Sequence, residues 1–389
     1  LMTRTPGDRE TVFRAADYLS ELPLQSTEEA VRVARLCRMA GEFARDDVAY
    51  RKAVALFSRS LELLEQSPEP MISDEIRLCQ LKLGEARYLS GDFDGAEQAL
   101  ARALELSGTA EQVIKVHKTR FALLLHRQEY SQAIAQGVGI LRSLGYRLPE
   151  RPAISGIVLD ILLLRFFLGR RSMEVLRQQR DETTAEDRDI LDVLILLSTP
   201  AYWTNERLSL LIGLRLLRAT LRTGNIPQSP MAYANWAILN QVVFRSPERA
   251  LEFGRLAESL LGPGPDPFVS SRVRFVVPTF VGTLMRTNRE NVSAYEDAYS
   301  ECLRHGEHVF AGHCIDGAVV SLPMAQFSLP EVEEQLAVWE ARAARIGSET
   351  SLELIAVTRA WCRSQMGAPL RASDAELVTR LESKTVGKF

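Results

Sequence analysis

Apolar residues along this chain recur at the i, i+3, i+4 and i+7 spacing that lines one face of an α-helix. Leu100, Ala103, Leu104 and Leu106 form one such stripe, and Leu208, Leu211, Leu214 and Leu217 another. Long alternations of Val, Ile and Thr, the period-two pattern of a half-buried strand, are missing. Pro and Gly interrupt the helical pattern at intervals of roughly 15–20 residues, at Pro68–Pro70, Gly91, Gly108, Pro149–Pro152, Gly224–Pro230, Gly262–Pro267 and Pro323–Pro330. Helices of ordinary length joined by tight turns follow. The fold is expected to be all-α.

The stretch LGEARYLSGDFDGAEQALARALEL, Leu83 to Leu106, predicts two helices with a turn at Ser90-Gly91-Asp92. Gly84 would let the first helix approach its neighbour, and Gly91 would end it in the left-handed conformation that Gly adopts without a Cβ penalty. Phe93 plugs the turn, Ala96 permits a close crossing, and Leu100 and Ala103 face inward. The same frame recurs upstream at Gly41, Tyr50, Ala53 and Phe57. Downstream it fits Phe121, Tyr130, Ala133 and Gly137, with the first position degraded, and a later copy over Ile238 to Ala257 keeps Ala250, Gly254 and Ala257. A tetratricopeptide repeat packs two helices into about 34 residues with small residues where they touch. Here the copies start 43 and then 37 residues apart, so the repeats are tetratricopeptide-like with an irregular period.

These features predict a tetratricopeptide-like helical-hairpin superhelix, an α-solenoid, whose repeats contact only their neighbours and so build an extended concave surface. The expected divisions are an N-terminal helix over 1–27, tetratricopeptide-like repeats over 28–152, central hairpins over 153–261, C-terminal hairpins over 262–370, and a tail or further helix over 371–389. The first helix of each hairpin is expected to line the groove with Arg38, Glu42 and Arg45, then Leu81, Glu85 and Tyr88, then Lys118, Leu125 and His126. This mixture suits a peptide or a partner's helix; the plain alternative is a solvated face with no ligand.

Composition narrows the partners. The 389 residues are 46% hydrophobic and 25% charged, normal for a folded protein, and a net charge of -3 gives no global attraction for nucleic acid or anionic membrane. Cys37, Cys79, Cys302, Cys314 and Cys362 are scattered, with no C-x-x-C pair, which suits a reducing, cytoplasmic setting. The N-terminus lacks the apolar core of a signal peptide, and Leu1 suggests a chain cut from something longer. The apolar run Ala153 to Gly169 carries Asp160 and Arg165; a charge at mid-bilayer costs roughly 2.5–3.5 kcal/mol, so the run is expected to be a buried helix.

Catalytic motifs are lacking. The only Gly-Lys pair, Gly387-Lys388, has no following helix, so no phosphate loop forms there, and neither G-x-S-x-G, H-E-x-x-H nor G-x-G-x-x-G occurs. Cys302, His305, His308, His313 and Cys314 lie in CLRHGEHVFAGHC, and Cys302 and His305 share a helix face suited to zinc. The Gly306 turn is expected to send the two helices apart, however, and no C-x2-C or H-x3-H pair anchors a site. The stretch reads as a helix junction, with no metal and no other cofactor assigned. Tyr202 and Trp203, with Tyr233, Asn235 and Trp236, either fill space between hairpins or form an aromatic recognition pocket, since aromatics carry much interface energy.

The order of motifs resembles a known family. VARLCRMAGEFARDDVAYRKAVALFSRSLELL (Val33 to Leu64) is followed by RYLSGDFDGAEQAL (Arg87 to Leu100) and LRSLGYRLPERP (Leu141 to Pro152). RTGNIPQSPMAYANWAIL (Arg222 to Leu239) and ALEFGRLAESLL (Ala250 to Leu261) come next. The series resembles the helical-repeat region of large bacterial STAND-class signalling ATPases, those fused to Ser/Thr-kinase and histidine-kinase modules and, more loosely, the large ATP-binding LuxR-type transcription regulators. The likeness runs from about Glu28 to about Met366, and GDRETVFRAADYL, Gly7 to Leu19, is similar to the helix that closes the ATPase part in that family. The resemblance implies a non-catalytic superhelical arm that senses a partner or small-molecule inducer and acts on an ATPase or kinase module of the same polypeptide. No direct nucleic-acid or membrane contact is implied. In that family the ATPase motifs lie N-terminal to the repeats, so no catalytic residue carries over. A free-standing adaptor, and a metal-dependent enzyme on a helical solenoid, are the alternative readings.

Overall fold

The structure, a computed structural model, describes residues 9–369 except 21–25, 66–72, 170, 180–183 and 263–265, together with 371, 373–376, 378 and 379. Pro68 and Pro70, Gly387-Lys388, and most of the expected tail over 371–389 lie outside these residues. Among the described residues there are helices and no strand. The chain forms two compact units, residues 1–128 and 129–389.

The first unit holds α1 (Arg9–Ser20), α2 (Thr27–Asp46), α3 (Tyr50–Glu65), α4 (Ser73–Ser90), α5 (Phe93–Glu105) and α6 (Ala110–His126). Each helix packs on the one before it, as the hairpin pattern predicts. Polar caps mark the starts. Asp92 accepts a hydrogen bond from Gly95 N at 3.0 Å, and Thr109 and Gln112 form a reciprocal capping box. Between successive helices the chain passes through the left-handed region at Val48 (φ 63), Gly91 (φ 86) and Gln128 (φ 57), repeating the 43- and 37-residue spacing of the frame. That conformation turns the next N–H back onto the helix end: Ala49 N donates to Ala44 O at 2.8 Å and Asp92 N to Arg87 O at 2.9 Å.

Close approach within a hairpin depends on the paired Gly and large residue. A Cβ at Gly84 would stand 2.7 Å from Leu100 Cγ, and one at Gly41 would stand 2.7 Å from Phe57 Cε1. Both large side chains are fully enclosed. Cys37 and Cys79 sit in the same core, where burial pushes their thiols up to about 11 and about 12.

The second unit comprises α7 (Tyr130–Ser143), α8 (Ile154–Leu168), α9 (Met173–Arg177), α10 (Ala185–Thr204), α11 (Glu206–Thr223), α12 (Ser229–Val242), α13 (Pro247–Ser259), α14 (Pro267–Phe280), α15 (Gly282–Met285), α16 (Asn288–His305), α17 (His308–Ser321), α18 (Leu329–Arg345) and α19 (Glu349–Gln365). The pairs α10/α11, α12/α13, α16/α17 and α18/α19 are hairpins. The left-handed turn residue recurs five positions before a fully buried Ala, at Arg245 before Ala250 and at Gly306 before Ala311. The expectation that Gly306 drives its flanking helices apart is overturned. Its φ of 73 folds α17 back on α16, and Glu307 N closes the turn on Cys302 O at 2.9 Å.

Helix α8 also departs from expectation. It packs on α11 through Ile157, Leu164 and Leu168, while Leu162 and Phe166 are 60% and 61% exposed, along with Ile154, Val158 and Leu159. The residue kept inside is Asp160, whose carboxylate meets Arg218 at 3.2 Å and Arg215 at 3.4 Å. One neighbouring helix can cover only one stripe of a helix that is apolar all round. The ion pairs decide which stripe turns inward. No helix of the described residues is long and apolar enough to cross a membrane.

Candidate functional site

The groove residues expected on α2, α4 and α6 divide into two sets. Arg38, Glu42, Arg45 and Glu85 are half-buried; Arg38 and Arg45 reach across to α4, while Glu42 pairs with Arg38 within α2. Arg38 meets Glu42 at 2.7 Å and Glu75 at 3.6 Å, Arg35 meets Glu75 at 2.7 Å, and Arg45 meets Glu85 at 3.0 Å; Lys82 also reaches Glu85, at 2.9 Å. Ion pairs thus tie α2 of one hairpin to α4 of the next. Lys118 is half-buried on α6, and the exposed His126 sets its ring 4.4 Å from that of Phe93.

Leu81, Tyr88 and Leu125 do not line a groove, because all three are buried. Leu81 packs with Leu100, Ala103 and Val116, and Tyr88 with Ala96 and Leu123. The reason is angular. Leu81 and Tyr88 stand three and four residues from Gly84, on the stripe that meets α5, and Leu125 stands four residues from the buried Phe121. Glu85 lies one residue round and escapes to the surface.

The five residues of the aromatic patch do not converge. Tyr202 and Trp203 at the end of α10 contact each other, Phe280 and His313, with centroids 5.4, 5.9 and 6.5 Å apart. Tyr233 and Trp236 on α12 pack instead on Phe253 of α13, at 6.2 and 6.4 Å. Tyr233 and Trp236 are buried, and Asn235 faces Gly213 of α11. They serve mainly as packing between hairpins.

The Cys/His stretch is dispersed around the α16/α17 turn. Cys302 and Cys314 lie in the buried core, where burial and the neighbouring Cys302 push the Cys314 thiol well up. His305 is exposed on the last turn of α16. The His313 ring stacks 5.3 Å from Phe275, and burial, with Arg272 nearby, lowers its pKa to about 4. Among the described residues no group of three His, Cys, Asp or Glu side chains is placed to hold a metal ion.

A cavity of about 420 Å3 opens between the end of α8 and the α12/α13 turn. Arg165, Arg245 and Arg249 stand around it, with Phe244, Trp236 and Asn240 among its walls. Periodicity gives no signal for Arg165, which belongs to another helix. The sequence FRSPER, Phe244 to Arg249, does carry one, since two arginines flank a Ser-Pro helix start.

No protein-family model matches the chain, and a search of the curated proteins gives no match either. A search of solved structures finds similarity to a STAND protein (signal transduction ATPase with numerous domains) with a tetratricopeptide repeat sensor, from Pyrococcus horikoshii. The identity is 12% and the TM-score 0.36, over 98% of this chain and 53% of that one. The chain therefore spans about half the length of that relative.

Proposed function

We propose that the chain is a non-catalytic helical-repeat arm that senses a partner or ligand, of the kind that restrains a STAND-type signalling ATPase or passes its state to an output module. The observation that carries this reading is the ion-pair ladder between successive hairpins of the first unit. Arg45–Glu85 and Arg38–Glu75 span α2 and α4, so the angle between repeats and the state of these pairs are linked. Their side chains keep between 18% and 28% of their surface, so a partner's acid or base can still reach them and replace one member. A ligand that binds one arrangement of the ladder better shifts the arm toward it by the ratio of its affinities for the two.

The test begins with the transcript sequenced across both ends of this reading frame. A phosphate-loop ATPase in frame upstream is expected. The charge reversals Arg45→Glu and Glu85→Arg should each change ATP turnover of that full polypeptide, and the two together should restore it. ATP hydrolysis by the isolated chain, lost on a substitution at its surface, would overturn the proposal. A free-standing adaptor is the second reading, favoured by the exposed apolar face of α8, since exposed patches of this kind mark interaction sites. A start codon near Met2 with a stop after Phe389 would support the adaptor and exclude the arm.

A further inference from the structure

The cavity beside α8 is electrostatically unbalanced. Arg165 and Arg245 have no carboxylate within ion-pair distance among the described residues. Arg249 reaches only Glu252, at 3.0 Å, and both of those side chains are about half exposed, so the pair can exchange for another anion. Three arginines therefore line one cavity, and none of the residues that line it carries a carboxylate. Guanidinium geometry suits carboxylate and phosphate oxygens.

Below this rim the wall is apolar and aromatic. The Arg165 guanidinium lies over the Phe244 ring, 5.3 Å from its centroid, and the Trp236 ring meets Phe244 at 5.5 Å. Trp236 is 3% exposed, fixed from behind by Phe253. Asn240, also buried, donates from its side-chain amide to Trp236 O at 2.7 Å. A second cavity of this unit, about 350 Å3, gives a contrast. There Arg286 is paired with Glu258 at 2.7 Å, and Arg289 donates to the carbonyl oxygens of Ala325 and Gln326. Its arginines are occupied by the protein, whereas Arg165 and Arg245 beside α8 have no ion-pair partner among the described residues.

We propose that the cavity binds a small organic anion, its carboxylate or phosphate held among Arg165, Arg245 and Arg249 and its planar apolar body laid against the half-buried Phe244, which Trp236 supports. A volume of about 420 Å3 accommodates such a molecule, within the usual range of ligand sites. A role as the inducer site rests on the sensing reading above; the existence of the binding site does not. Because α8 contributes Arg165 and the α12/α13 turn contributes Arg245 and Arg249, an occupant would fasten α8 to that hairpin.

The experiment is isothermal titration calorimetry of the full chain with phenyl phosphate, benzoate, inorganic phosphate and benzyl alcohol. Phenyl phosphate is expected to bind with a Kd on the order of 1 mM, as suits so small a ligand. Inorganic phosphate and benzyl alcohol should each bind at least about tenfold more weakly, because each lacks one half of the recognition. The ratio of benzoate to phenyl phosphate affinity tells which anion the rim prefers. Arg245→Gln and Arg249→Gln alter exposed side chains, so the fold should survive, and together they should weaken phenyl phosphate about tenfold or more. Arg255→Gln removes the same charge elsewhere on α13 and should leave the Kd unchanged. No heat with phenyl phosphate at 10-fold the expected Kd (about 10 mM), or equal loss from Arg255→Gln, would overturn the site. Equal affinity for inorganic phosphate would overturn the assigned ligand class. Binding that leaves ATP turnover of the full polypeptide unmoved would count against the inducer role alone.

Discussion

Substituting Gly84 by Ala adds one methyl group where two helices of a hairpin meet. On a solvent-facing helix position this change stabilises by about 1 kcal/mol, because Gly gives up more backbone freedom on folding. Here the new Cβ would stand 2.7 Å from Leu100 Cγ and 2.8 Å from its Cδ2, against the roughly 3.5–4.0 Å of a relaxed carbon contact. The clash is near the root of an enclosed Leu, so the side chain cannot swing clear, and α4 must part from α5 or Leu100 must leave its rotamer. Overpacking of this kind costs about 1–3 kcal/mol, which leaves Gly84→Ala destabilising by about 1 kcal/mol net. Leu100→Ala alone empties a buried site and should cost about 2–5 kcal/mol. In the double variant the clash is gone and the helix gain returns, so it should be more stable than the sum of the singles by roughly 2–3 kcal/mol. The assay is the urea midpoint, with hydrogen exchange of the α4 and α5 amides as the local readout. Gly139→Ala on α7, whose Cβ would meet nothing within 4 Å, is the control and should stabilise. A stabilising Gly84→Ala, or a cycle additive within about 0.5 kcal/mol, would refute the close-approach reasoning.

Two further predictions concern the turns and the core. Val48→Gly should raise stability by about 0.5–1 kcal/mol, because a β-branched residue at φ 63 carries a left-handed penalty of about 1–2 kcal/mol that the entropy of Gly only partly offsets; an unchanged or lower melting temperature would refute it. Asp316, whose carboxylate accepts a hydrogen bond from Ser351 Oγ at 2.7 Å, has its pKa raised by burial to about 6. A raised acid favours the folded state below its unfolded value near 3.8 and loses that contribution as pH rises through 6, a swing of about 3 kcal/mol. Asp316→Asn should therefore stabilise the chain relative to the natural sequence at pH 7.5 and lose about two-thirds of that advantage by pH 4.5. The comparison cancels the opposite effect of His313, whose stability contribution is lost as pH falls below 6.5 toward 4. Parallel pH profiles for the two proteins would refute the assignment.

Sequence alone determined the helices and most of their turns. Those depend on local chemistry: a 3.6-residue stripe, a cap, and a left-handed residue at a fixed distance before a small one. Gly91, Ala96 and Leu100 stand where that chemistry puts them, and the same frame recurs at Gly306 and Ala311. Tertiary structure decided which stripe meets which neighbour. Leu81 and Tyr88 lie within an adjacent turn of Glu85, yet the stripe that includes Gly84 turned them inward and left Glu85 outside. The ion pairs of Asp160 chose the inner face of α8 and left Leu162 and Phe166 uncovered. The cavity that gathers Arg165 with Arg245 and Arg249 arises only because α8 lies beside the end of the α12/α13 hairpin. Periodicity fixes the angle of each side chain about its own helix axis, whereas a site built from two helices depends on how those axes are placed.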